Sequence, residues 1–112
     1  MATPIVHFEI MGSDEQRTTS FYNTLFGWNA DTNNDFHYGM VDNGGQGING
    51  GLGGGGARVS VYAGVDDPQK YLDRAVELGG TVLIPVTEIP GAVTMALFSD
   101  PDGNSIGLIK NM

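Results

Sequence analysis

Apolar positions recur along this chain at two spacings, and together they divide it into two similar stretches. From Ile5 to Ile10 apolar and polar residues alternate, which predicts a strand with Val6, Phe8 and Ile10 turned toward a core and His7 and Glu9 on the opposite face. Ser13, with Gln16 three residues later, reads as a capping box opening a helix. Phe21, Tyr22, Leu25 and Phe26 form an apolar stripe on that helix, which ends near Gly27. Phe36 to Val41 and Gly47 to Leu52 follow as shorter strand candidates. The pattern then restarts: Val59 to Val65 is a strand, Asp67 caps a helix with Pro68 in its first turn, and Tyr71, Leu72, Ala75 and Val76 supply its stripe before Gly79 and Gly80. Thr81 to Ile84 is the next strand. Val93 to Ser99 and Ser105 to Ile109 form a hairpin across the tight turn Asp100-Pro101-Asp102-Gly103-Asn104.

A shift of 53 residues lays the first stretch over the second, pairing His7 with Ser60 and Glu9 with Tyr62. Each half reads βαβββ, an α+β pattern. Neither unit can bury a sheet face alone, so the two are expected to join edge to edge or to curl around a shared cavity. His7, Glu9, Ser60 and Tyr62 would face that cavity. Residues 1–112 then form one domain, with a first module over about 1–53, a connector at 53–56 and a second module over 57–112.

Composition narrows the function classes. Five Lys plus Arg against thirteen Asp plus Glu give a formal charge of −8, which repels nucleic acid and anionic lipid, so neither is an expected partner. There is no cysteine, no secretory leader pattern and no long apolar run, and a cytoplasmic location is the expectation. Nine of the eighteen glycines lie between Gly44 and Gly56. A strand, not a helix, follows them, so they do not form a phosphate cradle, and the last four read as a flexible connector. Asp100, Asp102 and Asn104 do not make a calcium loop, because Pro101 interrupts it and Asn111 stands where the closing Glu would be. No nucleophile elbow or cysteine nucleophile supports hydrolysis.

The segments His7-Phe8-Glu9-Ile10, Phe21 to Trp28, Ile48-Asn49-Gly50-Gly51-Leu52, Val65-Asp66-Asp67, Glu77-Leu78-Gly79-Gly80 and Asp100 to Leu108 together resemble the vicinal oxygen chelate superfamily. Its members include glyoxalase I, bleomycin-resistance proteins and extradiol dioxygenases, and the likeness is greatest to lactoylglutathione-lyase-related proteins whose last strand also reads Gly-Leu. The resemblance implies a curved, partly open barrel-like sheet with helices outside, and a homodimer. It places metal ligands at His7, Gly51, Ser60 and Gly107, of which only His7 is a good donor, so neither a metal nor another cofactor is expected.

Without a metal, the expected function is binding of a small, partly hydrophobic organic molecule. His7, Glu9, Tyr38, Met40, Asn49, Ser60 and Tyr62 are the candidate contacts, and the missing side chains at Gly51 and Gly107 would enlarge the space. Trp28, Phe36, Met95 and Phe98 are further candidate walls. Two alternatives stand beside this. His7 and Glu9 could serve as acid and base of a glyoxalase-like lyase or isomerase, with or without a metal, or the chain could be a structural or partner-binding module. In the simplest case His7 only lines the sheet and Glu9 is solvated.

Overall fold

The computed structural model describes residues 2–111. The chain forms β1 (Ile5–Met11), α1 (Glu15–Phe26), β2 (Tyr38–Val41), β3 (Gly50–Gly53), β4 (Arg58–Val65), α2 (Pro68–Glu77), β5 (Thr81–Ile89), β6 (Val93–Ser99) and β7 (Ser105–Lys110). It divides into two compact units: His7–Val59, and Ser60 onward together with the N-terminal residues through Val6.

In the first unit β3 pairs in parallel with β1 and antiparallel with β2. The parallel pair requires a crossover, which α1 provides. Asp14, not Ser13, caps this helix: its carboxylate accepts from the Gln16 and Arg17 N–H groups, while the Ser13 hydroxyl accepts from Arg17 Nη2. Starting one residue later, Asp14 reaches the two orphan donors of the first turn that Ser13 was expected to serve. Gly27 ends the helix in the left-handed conformation, φ 71°, and donates to Asn23 O.

The expected stripe of α1 is not its buried face. Phe21, Leu25 and Phe26 are 59%, 59% and 56% exposed. The sheltered positions are Glu15, Thr18, Thr19, Tyr22 and Asn23, at the same i, i+3, i+4, i+7, i+8 spacing but rotated around the axis. Close backbone approach explains the choice. A Cβ on Gly12 would strike Thr18 Oγ1 and one on Gly54 would press on Glu15 Cβ, so small or polar side chains fit where large ones do not. The core beneath is Ala30, Val41 and Leu52, with Phe8, Ile10, Tyr22 and Trp28 packed against it.

No strand forms between α1 and β2, so among the described residues the first repeat has one strand fewer after its helix than the second. Side-chain amides take over the backbone pairing there. Asn23 bonds both N–H and C=O of Ala30, and Asn34 Oδ1 accepts from the Phe36 and Tyr38 N–H groups. Phe36, expected at the start of β2, is left outside it and exposed.

The second unit orders its strands β4-β7-β6-β5, parallel between β4 and β7 and antiparallel elsewhere. Asp67 caps α2 through the Lys70 N–H and Pro68 opens it, as the sequence predicts. Leu72 is buried and Ala75 half-buried, whereas Tyr71 and Val76 are exposed and not part of the stripe. The core comprises Val65, Leu72, Ala96 and Leu108, with Ala63, Val86 and Phe98 against it. β5 runs five residues beyond the expected Ile84, through Pro85. Its terminal place in this unit's strand order leaves one side without a ladder, where a proline is tolerated. Val6 packs in this unit, near Gly64, and does not join Phe8 and Ile10.

Candidate functional site

Strand alternation gives the first unit two unlike faces. Phe8, Ile10, Val41 and Leu52 face the α1 core, which places His7 and Glu9 on the other side as expected. The register Glu9↔Gly51 and Met40↔Gly51 puts Met40, and with it Tyr38 two residues earlier, on that same side. His7 Nε2 and the Tyr38 hydroxyl share a hydrogen bond of 2.7 Å, and their rings lie 6.2 Å apart at 23°. Four candidate contacts are thus assembled on one face by three strands. Asn49 stands just before β3, where its Oδ1 accepts from the Asn43 N–H and staples the loop joining β2 to β3.

Gly51 does not leave the open space expected of it. A Cβ there would fall 1.9 Å from Tyr38 Cζ and 2.0 Å from the Tyr38 hydroxyl oxygen, so the outer end of the tyrosine ring already fills that position. The second unit repeats the device. Tyr62 pairs directly with Gly107, and a Cβ on Gly107 would meet Tyr62 Cδ2, Cε2 and Cγ at 2.1, 2.2 and 2.6 Å. Tyr62 is only 4% exposed. Ser60, buried to 1% exposure, shares a hydrogen bond of 2.8 Å with Ser105, a partner that no pattern along the chain singles out.

Glu9 is not solvated. It is buried and accepts from Arg58 Nη2 at 2.9 Å. Arg58 escaped notice in the sequence, although it stands two residues before Ser60 on an alternating strand and is one of only five basic residues. Trp28 and Phe98 are half-buried and pack against the two cores: Trp28 lies among Phe8, Tyr22 and Phe26, and Phe98 packs on the α2 side. His37, exposed and in the left-handed region at φ 51°, lies 3.2 Å from Glu15 Oε1.

Burial holds the His7 imidazole below its usual pKa, and the charge of Glu9 pulls it back up less strongly. Near neutral pH His7 is therefore uncharged, able to accept or donate one hydrogen bond according to tautomer. The unfolded chain, with the higher pKa, takes up this proton first as pH falls. Stability owed to His7 is complete above about pH 6.5 and declines as pH drops toward the folded value. As pH falls below about 6.5, denaturant titrations of His7→Gln should show a shallower loss of stability than the parent chain. Equal slopes would assign the loss to another group.

A divalent ion of the kind that the resemblance implies does not suit these residues. Of the four positions, His7 is bonded to Tyr38, Ser60 to Ser105, and the two glycines lie under tyrosine rings. Among the described residues no three His, Cys, Asp or Glu side chains gather as a metal site would require.

The two units thus define an α+β protein of repeated sheet-and-helix construction, with a polar face on one unit where imidazole, carboxylate, phenol and guanidinium meet. The chain belongs to the glyoxalase/bleomycin resistance protein/dioxygenase superfamily, whose family model matches residues 4–108. "Putative glyoxylase CFP32" of Mycobacterium bovis is 29% identical over 111 aligned residues, covering 89% of this chain and 42% of that protein. This chain therefore spans less than half the length of that curated relative. A superfamily member from Vibrio splendidus 12B01 superposes with a TM-score of 0.65 at 17% identity, covering 98% of this chain and 100% of that one. Streptomyces coelicolor methylmalonyl-CoA epimerase in complex with 2-nitronate-propionyl-CoA gives 0.66 at 17% identity, over 99% and 96%. These likenesses establish the vicinal oxygen chelate fold. No described helix is long and apolar enough to cross a membrane.

Proposed function

We propose that this protein binds a small, partly hydrophobic organic molecule without a metal, on the face of the first unit that carries His7, Glu9, Tyr38 and Met40. The observation that carries this is the placement of Tyr38. Its ring fills the position over Gly51 where a ligating side chain would stand, and its hydroxyl engages the one good donor, His7. A metal-binding corner is thereby replaced by an aromatic wall with polar groups beside it, the mixture that small organic ligands favour. Ser60 and Tyr62 are kept as candidate contacts of the second unit. A homodimer in the cytoplasm is part of the same proposal.

Thermal unfolding tests it. A matching compound from a metabolite library, at 100 times its dissociation constant, should stabilise the fold by about 2.7 kcal/mol, and Tyr38→Ala should abolish the gain. Zn, Ni, Mn and Fe ions should produce no comparable shift, and protein purified without chelator should carry no stoichiometric metal. A bound metal lost in His7→Ala would overturn the proposal.

One observation favours a second reading, a glyoxalase-like lyase or isomerase. A neutral imidazole bonded to a phenol can accept a proton. Turnover of a 2-oxoaldehyde–thiol adduct, lost in His7→Gln but not in Met40→Ala, would establish it.

A further inference from the structure

Arg58 meets Glu9 with one arm of its guanidinium. Nη2 donates to Oε1 at 2.9 Å, while Nε, shielded from solvent, has no hydrogen-bond partner among the described residues. Arginine and carboxylate often close through two parallel bonds, and here the Nε side of the fork is left without an acceptor. A buried N–H without an acceptor is destabilising, and that cost is removed when an acceptor is brought to it. The side chain as a whole is 35% exposed while Nε itself is covered, so an acceptor reaches this N–H only when the exposed part of the side chain shifts to admit it.

Local charge selects the acceptor. The Arg58 cation and the Glu9 carboxylate cancel, the His7 ring beside them is uncharged, and the chain carries −8 overall. An arriving carboxylate would meet no net positive charge to offset its desolvation. An uncharged oxygen needs none. The Tyr38 ring and the exposed Met40 side chain add apolar surface on the same face.

We infer that Arg58 Nε–H receives an uncharged carbonyl-type oxygen of the ligand, so that this face selects neutral, partly apolar carbonyl compounds over both carboxylates and plain hydrocarbons. The inference rests on the binding proposed above and names its ligand class.

Acetophenone, benzoate and ethylbenzene share one ring and differ in this feature. Each is titrated by heteronuclear NMR into the whole chain and into Arg58→Lys, which keeps a cation beside Glu9 but removes the Nε–H. Acetophenone should bind about tenfold more tightly than the other two, shifting amides of β1 and β2, and most of that preference should vanish in Arg58→Lys. Equal binding of the three probes, tighter benzoate, or a preference unchanged in the variant would overturn the inference while leaving binding at this face intact. No shift with any probe would count against both. The comparison among probes in the parent chain decides the matter even if Arg58→Lys fails to fold.

Discussion

Arg58→Ala is expected to cost about 2–3 kcal/mol of folding stability, measured by urea denaturation. Truncating one partner of a buried ion pair typically costs about 3–5 kcal/mol, because the other charge is left without compensation. Glu9 is the deeply placed partner, its side chain 9% exposed, whereas Arg58 at 35% shares its charge with solvent, which lowers the expectation. Against a total of about 5–15 kcal/mol for a domain of this kind, the loss is large. The double variant Arg58→Ala/Glu9→Gln should recover part of it, since the carboxylate charge that had faced the guanidinium is then gone as well. A double variant no more stable than Arg58→Ala would mean that lost packing of the arginine stem, not the charge, was responsible.

Gly107→Ala and Gly51→Ala form the second test, in which the same substitution at matching places of the two repeats gives unequal results. At Gly107 the new methyl meets the ring of Tyr62 as far back as Cγ, and Tyr62 is 4% exposed, so the ring cannot swing clear. Overpacking of that kind costs about 1–3 kcal/mol. At Gly51 the collision is with the outer end of Tyr38, which is half-buried and can rotate outward. Gly51→Ala should then cost less than about 1 kcal/mol, and its main effect should be loss of the His7–Tyr38 hydrogen bond, visible in the His7 ring resonances. In Gly107→Ala, Tyr62→Leu should relieve part of the strain. Equal losses at the two glycines would show that the rings do not lie where the structure places them.

Much of this architecture was legible in the chain. The terminal hairpin runs Val93–Ser99 and Ser105–Lys110, within one residue of expectation, because Asp100 organises its turn locally by accepting from the Asp102 and Asn104 N–H groups. Both helices, the strand alternation that separates His7 and Glu9 from Phe8 and Ile10, and the likeness of the two halves were equally accessible, since each is set by neighbours a few residues apart. The burial of α1 was not. Apolar spacing pointed to Phe21, Leu25 and Phe26, yet the sheltered face carries Glu15, Thr18 and Thr19, because Gly12 comes close to Thr18 and Gly54 to Glu15, leaving no room there for large side chains.

The candidate site divides along the same line. Sequence alone established that Gly51 and Gly107 offer no ligand, and that His7 and Glu9 share a face, since identity and strand parity require no knowledge of contacts. What occupies the emptied positions was decided only by tertiary structure. Tyr38 reaches Gly51, Tyr62 covers Gly107, Ser60 finds Ser105 and Arg58 claims Glu9, across sequence separations of 13, 45, 45 and 49 residues. Such pairings follow from strand register and from the path of the chain between strands, which no local pattern encodes.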